Sequence, residues 1–317
     1  MYRQLPKVSV VTITYGHQDY ILETIKGVLM QDYSGEIEFI IANDNSPDDT
    51  HLIVTEFLNV NSIPPRFQIK YTKHDKNLGM MQNFIWALSQ SKGKYIALCE
   101  GDDYWTDPLK LQKQVDFLEE NHDFSLCVGG FTSINEYSKK TSTHLISLNK
   151  DLNAKGFKFT LDDTMNQWLT KTLTAVFLRN EKVLSQIKNY SFFRDIHLFY
   201  LILNTGNGFY FNEILGCYRI HEGGVNSMKQ GEVNNFNAYN VYRELYLLHN
   251  DNWTRIMFLK STAHLLNFYI YNSFEKKSIY FKFKLYKQII SLISQLEELK
   301  FLISPLISEK LKSRYRL

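Results

Sequence analysis

Short apolar runs alternate with helical patterns over the first hundred residues, and this alternation constrains the fold more than any other feature. The stretch from Val8 to Thr14 is a β-branched run of strand length, followed by apolar residues at helical spacing. Comparable runs begin at Glu38, Phe67 and Tyr95, and a helical pattern separates each run from the next. This order is typical of a doubly wound, mostly parallel sheet, so we predict an α/β fold.

Polar residues follow these predicted strands at the edge where such sheets bind ligands. Tyr15 follows the first strand, Asp44 follows the second, and the acidic run from Glu100 to Asp103 follows the fourth. Carboxylates packed on one turn repel each other, and a hard divalent cation such as Mg²⁺ or Mn²⁺ relieves that repulsion. The alternatives are a solvated loop for the acidic run and, for Asp44, a turn residue that begins the next helix.

The composition supports one sizeable core with a smaller appendage. The chain has 317 residues, of which 44% are hydrophobic, and this excludes long disordered stretches. The N-terminus continues directly into the first strand without the apolar segment of a signal peptide. We find no run of apolar residues long enough to span a bilayer, so we expect a protein that is made and kept in the cytosol.

The C-terminal part differs from the rest in pattern and in charge. We place a domain boundary near residue 230, with an α/β domain over residues 1–230 and a helical, basic region over residues 231–317. From Thr254 to Leu317 there are twelve Lys or Arg residues against four Glu. Between Tyr280 and Arg316, apolar positions flanked by basic ones fit a helix lying on an anionic membrane surface, peripheral to the inner face. A helix packed on the body or on a second subunit fits equally, so the oligomeric state stays open. A nucleic-acid partner is not expected, because no recognised binding motif is present.

Six sequence blocks carry a resemblance to a known family. In order, VSVVTITYG, ANDNSPDDT, NLGMMQNF and CEGDDYW resemble the N-terminal half of the large family 2 of inverting, nucleotide-sugar-dependent glycosyltransferases with the GT-A fold. FFRDIHLFYLIL and NEILGCYRIHEGGVNS resemble the second half of the same domain, so the likeness covers about residues 6–228. It implies a Rossmann-like, doubly wound mixed sheet with a helical C-terminal extension. It also implies a nucleotide-sugar donor and a Mn²⁺ or Mg²⁺ cofactor.

The resemblance also assigns residues to the donor. Asp44 matches the aspartate that reads the base of the nucleotide. The backbone near Ile13 and Thr14, with the ring of Tyr15, would frame that base. Asn77, in the third block, joins this donor-binding set. UDP is the nucleotide carrier that the resemblance favours.

The metal and the diphosphate are assigned in the same way. Asp102 would face the ribose and the metal site, and Asp103 would ligate the ion that bridges the diphosphate. Glu100 stands where many relatives have Asp. Arg219 and His221 lie in the block that closes over the diphosphate in relatives. Arginine suits phosphate oxygens, and neutral histidine suits a metal ion or a phosphate.

The acceptor side is assigned through the later blocks. Asp195 matches the catalytic base, which takes the proton of an acceptor hydroxyl so that attack inverts the anomeric configuration. Relatives have an acidic residue or Gly before the base, whereas this chain has Arg194; the alternative role for Asp195 is a helix cap. Trp105 and Thr172–Thr174 fall where relatives shape the acceptor pocket, with simple packing as an equal alternative. The acceptor implied is a saccharide or lipid-linked saccharide, as in the synthesis of cell-surface polysaccharides of the O-antigen or capsule type.

Other activities are less well supported. A sugar nucleotidyltransferase would have a Gly-rich, basic loop after the first strand, and the residues from Tyr15 to Gln18 do not provide one. A nicotinamide-binding enzyme is disfavoured because no G-x-G-x-x-G motif follows that strand. A catalytically inactive sugar-binding or scaffold protein is opposed by the intact set of candidate carboxylates.

Overall fold

The computed structural model describes residues 5–135, 137, 139–146, 155–224 and 231–272. The chain divides into two compact units, Met1–Met228 and Lys229–Leu317. The predicted membrane-surface helix between Tyr280 and Arg316, and with it most of the basic tail, lies outside the described residues.

One mixed sheet of ten strands forms the centre of the first unit within the described ranges. The strand order is β3-β2-β1-β4-β9-β6-β10-β5, with β7 beside β6 and β8 beside β10. The first four strands run parallel, β6 and β10 are also parallel, and β9 joins the two groups in antiparallel fashion. The strands are β1 (Val8–Thr14), β2 (Ile37–Asn43), β3 (Phe67–Lys73), β4 (Tyr95–Leu98), β5 (Tyr104–Trp105), β6 (Phe124–Asn135), β7 (Lys140–His144), β8 (Gly156–Phe159), β9 (Val176–Leu178) and β10 (Asn207–Ile220).

The helices of the first unit follow the strands in the predicted alternation. α1 buries Ile21, Ile25 and Val28, which recur at helical spacing on one face. At the start of α2 the Asp48 carboxylate accepts the backbone N–H of Thr50 at 3.1 Å, which satisfies one of the free donors of the first turn. The α-helices of this unit are α1 (Ile21–Leu29), α2 (Thr50–Val60), α3 (Met80–Ser89), α4 (Lys110–Glu120), α5 (Glu181–Gln186) and α6 (Asp195–Leu203). The predicted α/β architecture is therefore confirmed.

Trp105 belongs to the core and not to an open acceptor pocket. Its side chain is 1% exposed, and its indole Nε1–H donates to the Leu173 carbonyl at 2.8 Å. The buried Lys110 ammonium lies 4.2 Å from the centre of the ring and donates to Gln114 Oε1 at 2.8 Å. Burial lowers the pKa of Lys110 to about 7. The packing alternative therefore holds for Trp105, which fixes the chain just after the acidic run.

The described part of the second unit consists of α7 (Gly231–His249) and α8 (Asn252–Asn272). Aromatic side chains join the two helices: the rings of Tyr246 and Phe258 are stacked, with centroids 5.4 Å apart. None of the helices in the described ranges is long and apolar enough to cross a membrane.

Candidate active site

The acid loop, residues 99–103, lies against the carboxyl end of β1. The Gly101 N–H donates to the Ile13 carbonyl at 3.0 Å. A Cβ atom at Gly101 would lie 2.7 Å from Thr14 Oγ1, closer than real contacts allow. Glycine at position 101 therefore lets the acidic residues approach the end of β1.

Three side chains from separate segments meet at the acid loop and form a potential metal site: His17, Asp102 and His221. His221 Nε2 lies 3.2 Å from Asp102 Oδ2, and His17 Nε2 lies 3.8 Å from the same oxygen. All three ligand atoms lie within 4.8 Å of one another. His17 follows β1, Asp102 follows β4 and His221 follows β10, so three strand ends position the cluster.

The protonation of this cluster is compatible with cation binding. Burial raises the pKa of Asp102, but the hydrogen bond to His221 and the charge of His17 outweigh it, and the pKa falls below its ordinary value. Burial lowers the pKa of His17, which favours the neutral imidazole with a lone pair for a metal ion. A carboxylate oxygen with imidazole nitrogens is a suitable donor set for a divalent transition metal.

Asp103, the predicted ligand of the ion, lies apart from this cluster. Its side chain is 1% exposed, and Oδ1 accepts the backbone N–H of Arg219 at 2.9 Å. Burial raises the pKa of Asp103 well above its ordinary value, and the charges of Asp102 and Glu100 add to the effect. Asp102 belongs to the three-ligand cluster, whereas Oδ1 of Asp103 holds the backbone of β10 and its buried Oδ2 has no hydrogen-bond partner. The ligand role of Asp103 stays a prediction.

Arg219 lies beneath the acid loop. It is 3% exposed, its guanidinium pairs with the Glu23 carboxylate, and its Nε–H donates to the Asp102 carbonyl at 3.2 Å. The guanidinium also lies 4.6 Å from the centre of the Tyr20 ring. A contact with the donor diphosphate, as the resemblance implied, would require Arg219 to leave these partners.

The residues predicted to bind the nucleotide meet at the ends of β1 and β2. The Asp44 N–H donates to the Thr14 carbonyl at 2.9 Å, and the Asp44 carboxylate accepts the Leu78 N–H at 2.6 Å. Asn77, beside it, is exposed, and its Oδ1 accepts the Gly79 N–H at 2.8 Å. Tyr15, with its ring 49% exposed, follows Thr14. The structure therefore brings the predicted base-binding set to one edge of the sheet.

Asp195 is the first residue of α6, and Arg194 occupies the N-cap position without a side-chain cap hydrogen bond. The imidazole Nδ1 of His197, in the first turn, accepts the Arg194 N–H at 3.1 Å. The Asp195 carboxylate accepts the N–H of Ile196 at 3.0 Å. Burial raises the pKa of Asp195, whereas the charge of Lys171 lowers it.

Lys171 is a site residue that sequence reasoning missed. Its ammonium lies 3.6 Å from the centre of the Tyr218 ring, and its charge lowers the pKa of Glu100, Asp103 and Asp195. Burial nevertheless raises the pKa of Glu100 to about 7. Thr172, the residue after Lys171, donates its hydroxyl to Glu100 Oε2 at 2.7 Å, which brings this segment of the chain to the acid loop.

His17 was missed as well, although a signal existed. It stands three residues beyond the end of β1, on the sheet edge where ligands were expected, and its Nδ1 lies 3.2 Å from Thr14 Oγ1. For Lys171 the local sequence gives no comparable indication, because its neighbours come from distant strands.

The doubly wound mixed sheet is the GT-A fold, and solved structures share it. Staphylococcus aureus TarS residues 1–349 in complex with UDP-GlcNAc aligns with a TM-score of 0.56 at 18% identity, over 83% of this chain and 71% of that chain. The chain belongs to Glycosyl transferase family 2, whose sequence model it matches over residues 9–187.

Two relatives illustrate the range of the match. An uncharacterised protein of Mycobacterium bovis is 39% identical over 135 residues, which are 43% of this chain and only 38% of that relative's length. A glycosyltransferase of Bacillus subtilis assigned to teichuronic acid biosynthesis, TuaG, is 28% identical over 81% of this chain and 96% of its own length.

Proposed function

We propose that this protein is an inverting glycosyltransferase that moves a sugar from a UDP-sugar to an acceptor hydroxyl during synthesis of a cell-surface polysaccharide. Catalysis would lie in the α/β domain of residues 1–230. Membership of the family supports the transferase activity. The UDP-GlcNAc bound to TarS supports the nucleotide, and the assignment of TuaG supports the polysaccharide.

We assign the metal to His17, Asp102 and His221. Carboxylate oxygen suits both Mg²⁺ and Mn²⁺, whereas imidazole nitrogen suits transition metals. The two histidines of this set therefore favour Mn²⁺ over Mg²⁺. When bound, the ion would supply positive charge to the diphosphate leaving group. In this proposal Asp103 and Arg219 act indirectly, by fixing the acid loop on the end of β10.

The uridine would lie at the ends of β1 and β2. The exposed ring of Tyr15 offers a face on which a base can stack. Asp44 can accept a base N–H while its bond to Leu78 holds the neighbouring loop. Asn77, exposed on that loop, is within the same set.

Asp195 is the proposed general base, and its neighbourhood carries the proposal. The charge of Lys171 acts on the pKa of both Asp195 and Glu100, which supports a position of Asp195 near the loop that would hold the donor. Asp195 would take the proton of the acceptor hydroxyl as the oxygen attacks the anomeric carbon. The nucleoside diphosphate would leave from the opposite face, which inverts the configuration.

The test compares donor binding with turnover. A panel of UDP- and GDP-sugars with and without Mn²⁺ should raise the melting temperature only for the true donor, since a ligand of the native state stabilises it. Asp195→Asn should keep donor affinity and lose about 10²–10⁴-fold in turnover. Asp32→Asn, an exposed carboxylate before β2, is the matched control.

Three results would contradict this assignment. Undiminished turnover in Asp195→Asn would place the base elsewhere. Loss of donor affinity together with a lowered melting temperature would mean that Asp195 serves the start of α6 and not the chemistry. A product of retained anomeric configuration would exclude the inverting displacement.

A further inference from the structure

We infer that Arg194 binds an anionic group of the acceptor, a carboxylate or a phosphate carried close to the hydroxyl that is attacked. The inference rests on the proposed function, because it takes Asp195 as the base. It adds the chemical class of the acceptor, which neither the fold nor the family defines.

The guanidinium of Arg194 has only weak partners. Its Nη1 lies 3.6 Å from the sulfur of Met80, and its Cζ lies 4.7 Å from the centre of the Phe192 ring. Within the part of the chain that the structure describes, no carboxylate lies within ion-pairing distance of it. By contrast, Arg219 pairs with Glu23 and Arg179 pairs with Glu181.

These contacts orient the guanidinium without neutralising it. A thioether sulfur is a weak acceptor, and an aromatic face contacts the plane of the guanidinium while leaving its N–H edge for another ligand. The side chain is also partly buried; burial lowers the pKa of Arg194, and the charge of Asp195 offsets part of this effect. A partly desolvated, oriented cation gains more from an anion than a fully hydrated one does.

In this proposal the guanidinium of Arg194 lies on the acceptor side of the site, because Arg194 is next to the proposed base in sequence. Arg194 immediately precedes Asp195, and its backbone is extended, at φ −139° and ψ 168°, where the chain enters α6. Its side chain reaches Met80, the first residue of α3, so the guanidinium lies between the start of α3 and the start of α6. An anion bound there would be held beside the attacking hydroxyl, and not on the metal cluster of His17, Asp102 and His221.

A uronic acid carboxylate and a glycosyl phosphate offer the same chemistry to a guanidinium. Both present two oxygens in a plane, which matches the forked N–H donors of arginine. The experiment therefore uses one probe of each kind, with a neutral sugar of the same ring as reference.

The test measures equilibrium binding of glucuronic acid, glucose 1-phosphate and glucose to full-length protein saturated with UDP and Mn²⁺. UDP and Mn²⁺ occupy the donor side, so the probes report the acceptor side. We expect wild-type protein to bind at least one anionic probe about 10-fold or more tightly than glucose. Arg194→Gln should remove this preference, and Arg194→Lys, which keeps the charge without the fork, should reduce it. Lys188→Gln, which removes an exposed cation six residues earlier, should leave it unchanged.

The probe that is preferred identifies the source of the anion: glucuronic acid indicates an acidic polysaccharide, and glucose 1-phosphate indicates a phosphate-linked acceptor. No preference in wild-type protein, including no detectable binding of either anion, overturns the inference, as does a preference that survives in Arg194→Gln. If Arg194→Gln fails to fold, an undiminished preference in Arg194→Lys overturns it instead. A wild-type protein that does not bind UDP with Mn²⁺ refutes the proposed function itself, which is a separate result.

Discussion

Replacing Arg219 by Met tests whether this residue holds the site together or binds the donor. The variant loses a charged hydrogen bond to the Asp102 carbonyl, which contributes about 1.5–3 kcal/mol. The pair with Glu23 adds only about 0.5 kcal/mol, because the Glu23 side chain is 50% exposed. The contact with the Tyr20 ring adds about 1 kcal/mol. Burial of the methionine side chain returns about 1 kcal/mol, so the free energy of unfolding should fall by about 2–3.5 kcal/mol.

For a unit of this size, such a loss lowers the melting temperature by about 4–14 °C. The assay is thermal unfolding followed by circular dichroism, with UDP affinity measured well below the transition. Lys26→Met removes an exposed cation of α1 and serves as the control. A melting temperature changed by less than about 2 °C, with UDP affinity reduced more than 10-fold, would refute this reasoning. Arg219 would then contact the diphosphate, as the resemblance implied.

Three further predictions follow from the site. His221→Gln removes one of three candidate ligands, so Mn²⁺ affinity measured by the electron paramagnetic resonance of the free ion should fall about 10-fold or more. Lys171→Met removes a charge that lowers the pKa of Asp195; that pKa should rise, and the acidic limb of the kcat/KM profile should move to higher pH. Trp105→Phe leaves the buried Leu173 carbonyl without its donor, so denaturant unfolding should show a loss of about 1–3 kcal/mol.

Each of these has a clear contrary result. Unchanged Mn²⁺ affinity in His221→Gln would remove the imidazole from the metal site. An acidic limb that moves to lower pH in Lys171→Met would mean that the titrating group is not the proposed base. Unchanged stability in Trp105→Phe would show that the indole N–H contributes nothing to the packing behind the acid loop.

The parallel strands could be predicted closely from the sequence. The first strand was expected from Val8 to Thr14 and has those bounds, and the run expected to begin at Glu38 corresponds to Ile37–Asn43. Strands buried on both faces leave continuous apolar runs, which are visible without any knowledge of their partners. The end of each run also located the candidate site.

Side-chain direction within the site could not be predicted in the same way. Asp102 and Asp103 are adjacent in sequence, yet one faces two histidines and the other faces the backbone of Arg219. Which of the two turns inward depends on the register of β10 beside the acid loop, a contact between residues 116 positions apart. The contacts of Arg219 and Lys171 could not be predicted for the same reason, because their partners come from segments that only the complete sheet brings together.

That separation has a consequence for how the protein folds. Asp102 and His221 are 119 residues apart, and they meet only after β10, the last strand of the sheet, has joined β6. Contacts of such long range form late in folding, because closing the intervening chain costs conformational entropy before the contact itself stabilises the structure. A metal ion would therefore bind only the completely folded α/β domain. A chain that ends before β10 would neither bind the ion nor have partial activity. Cation binding would then serve as a measure of complete folding.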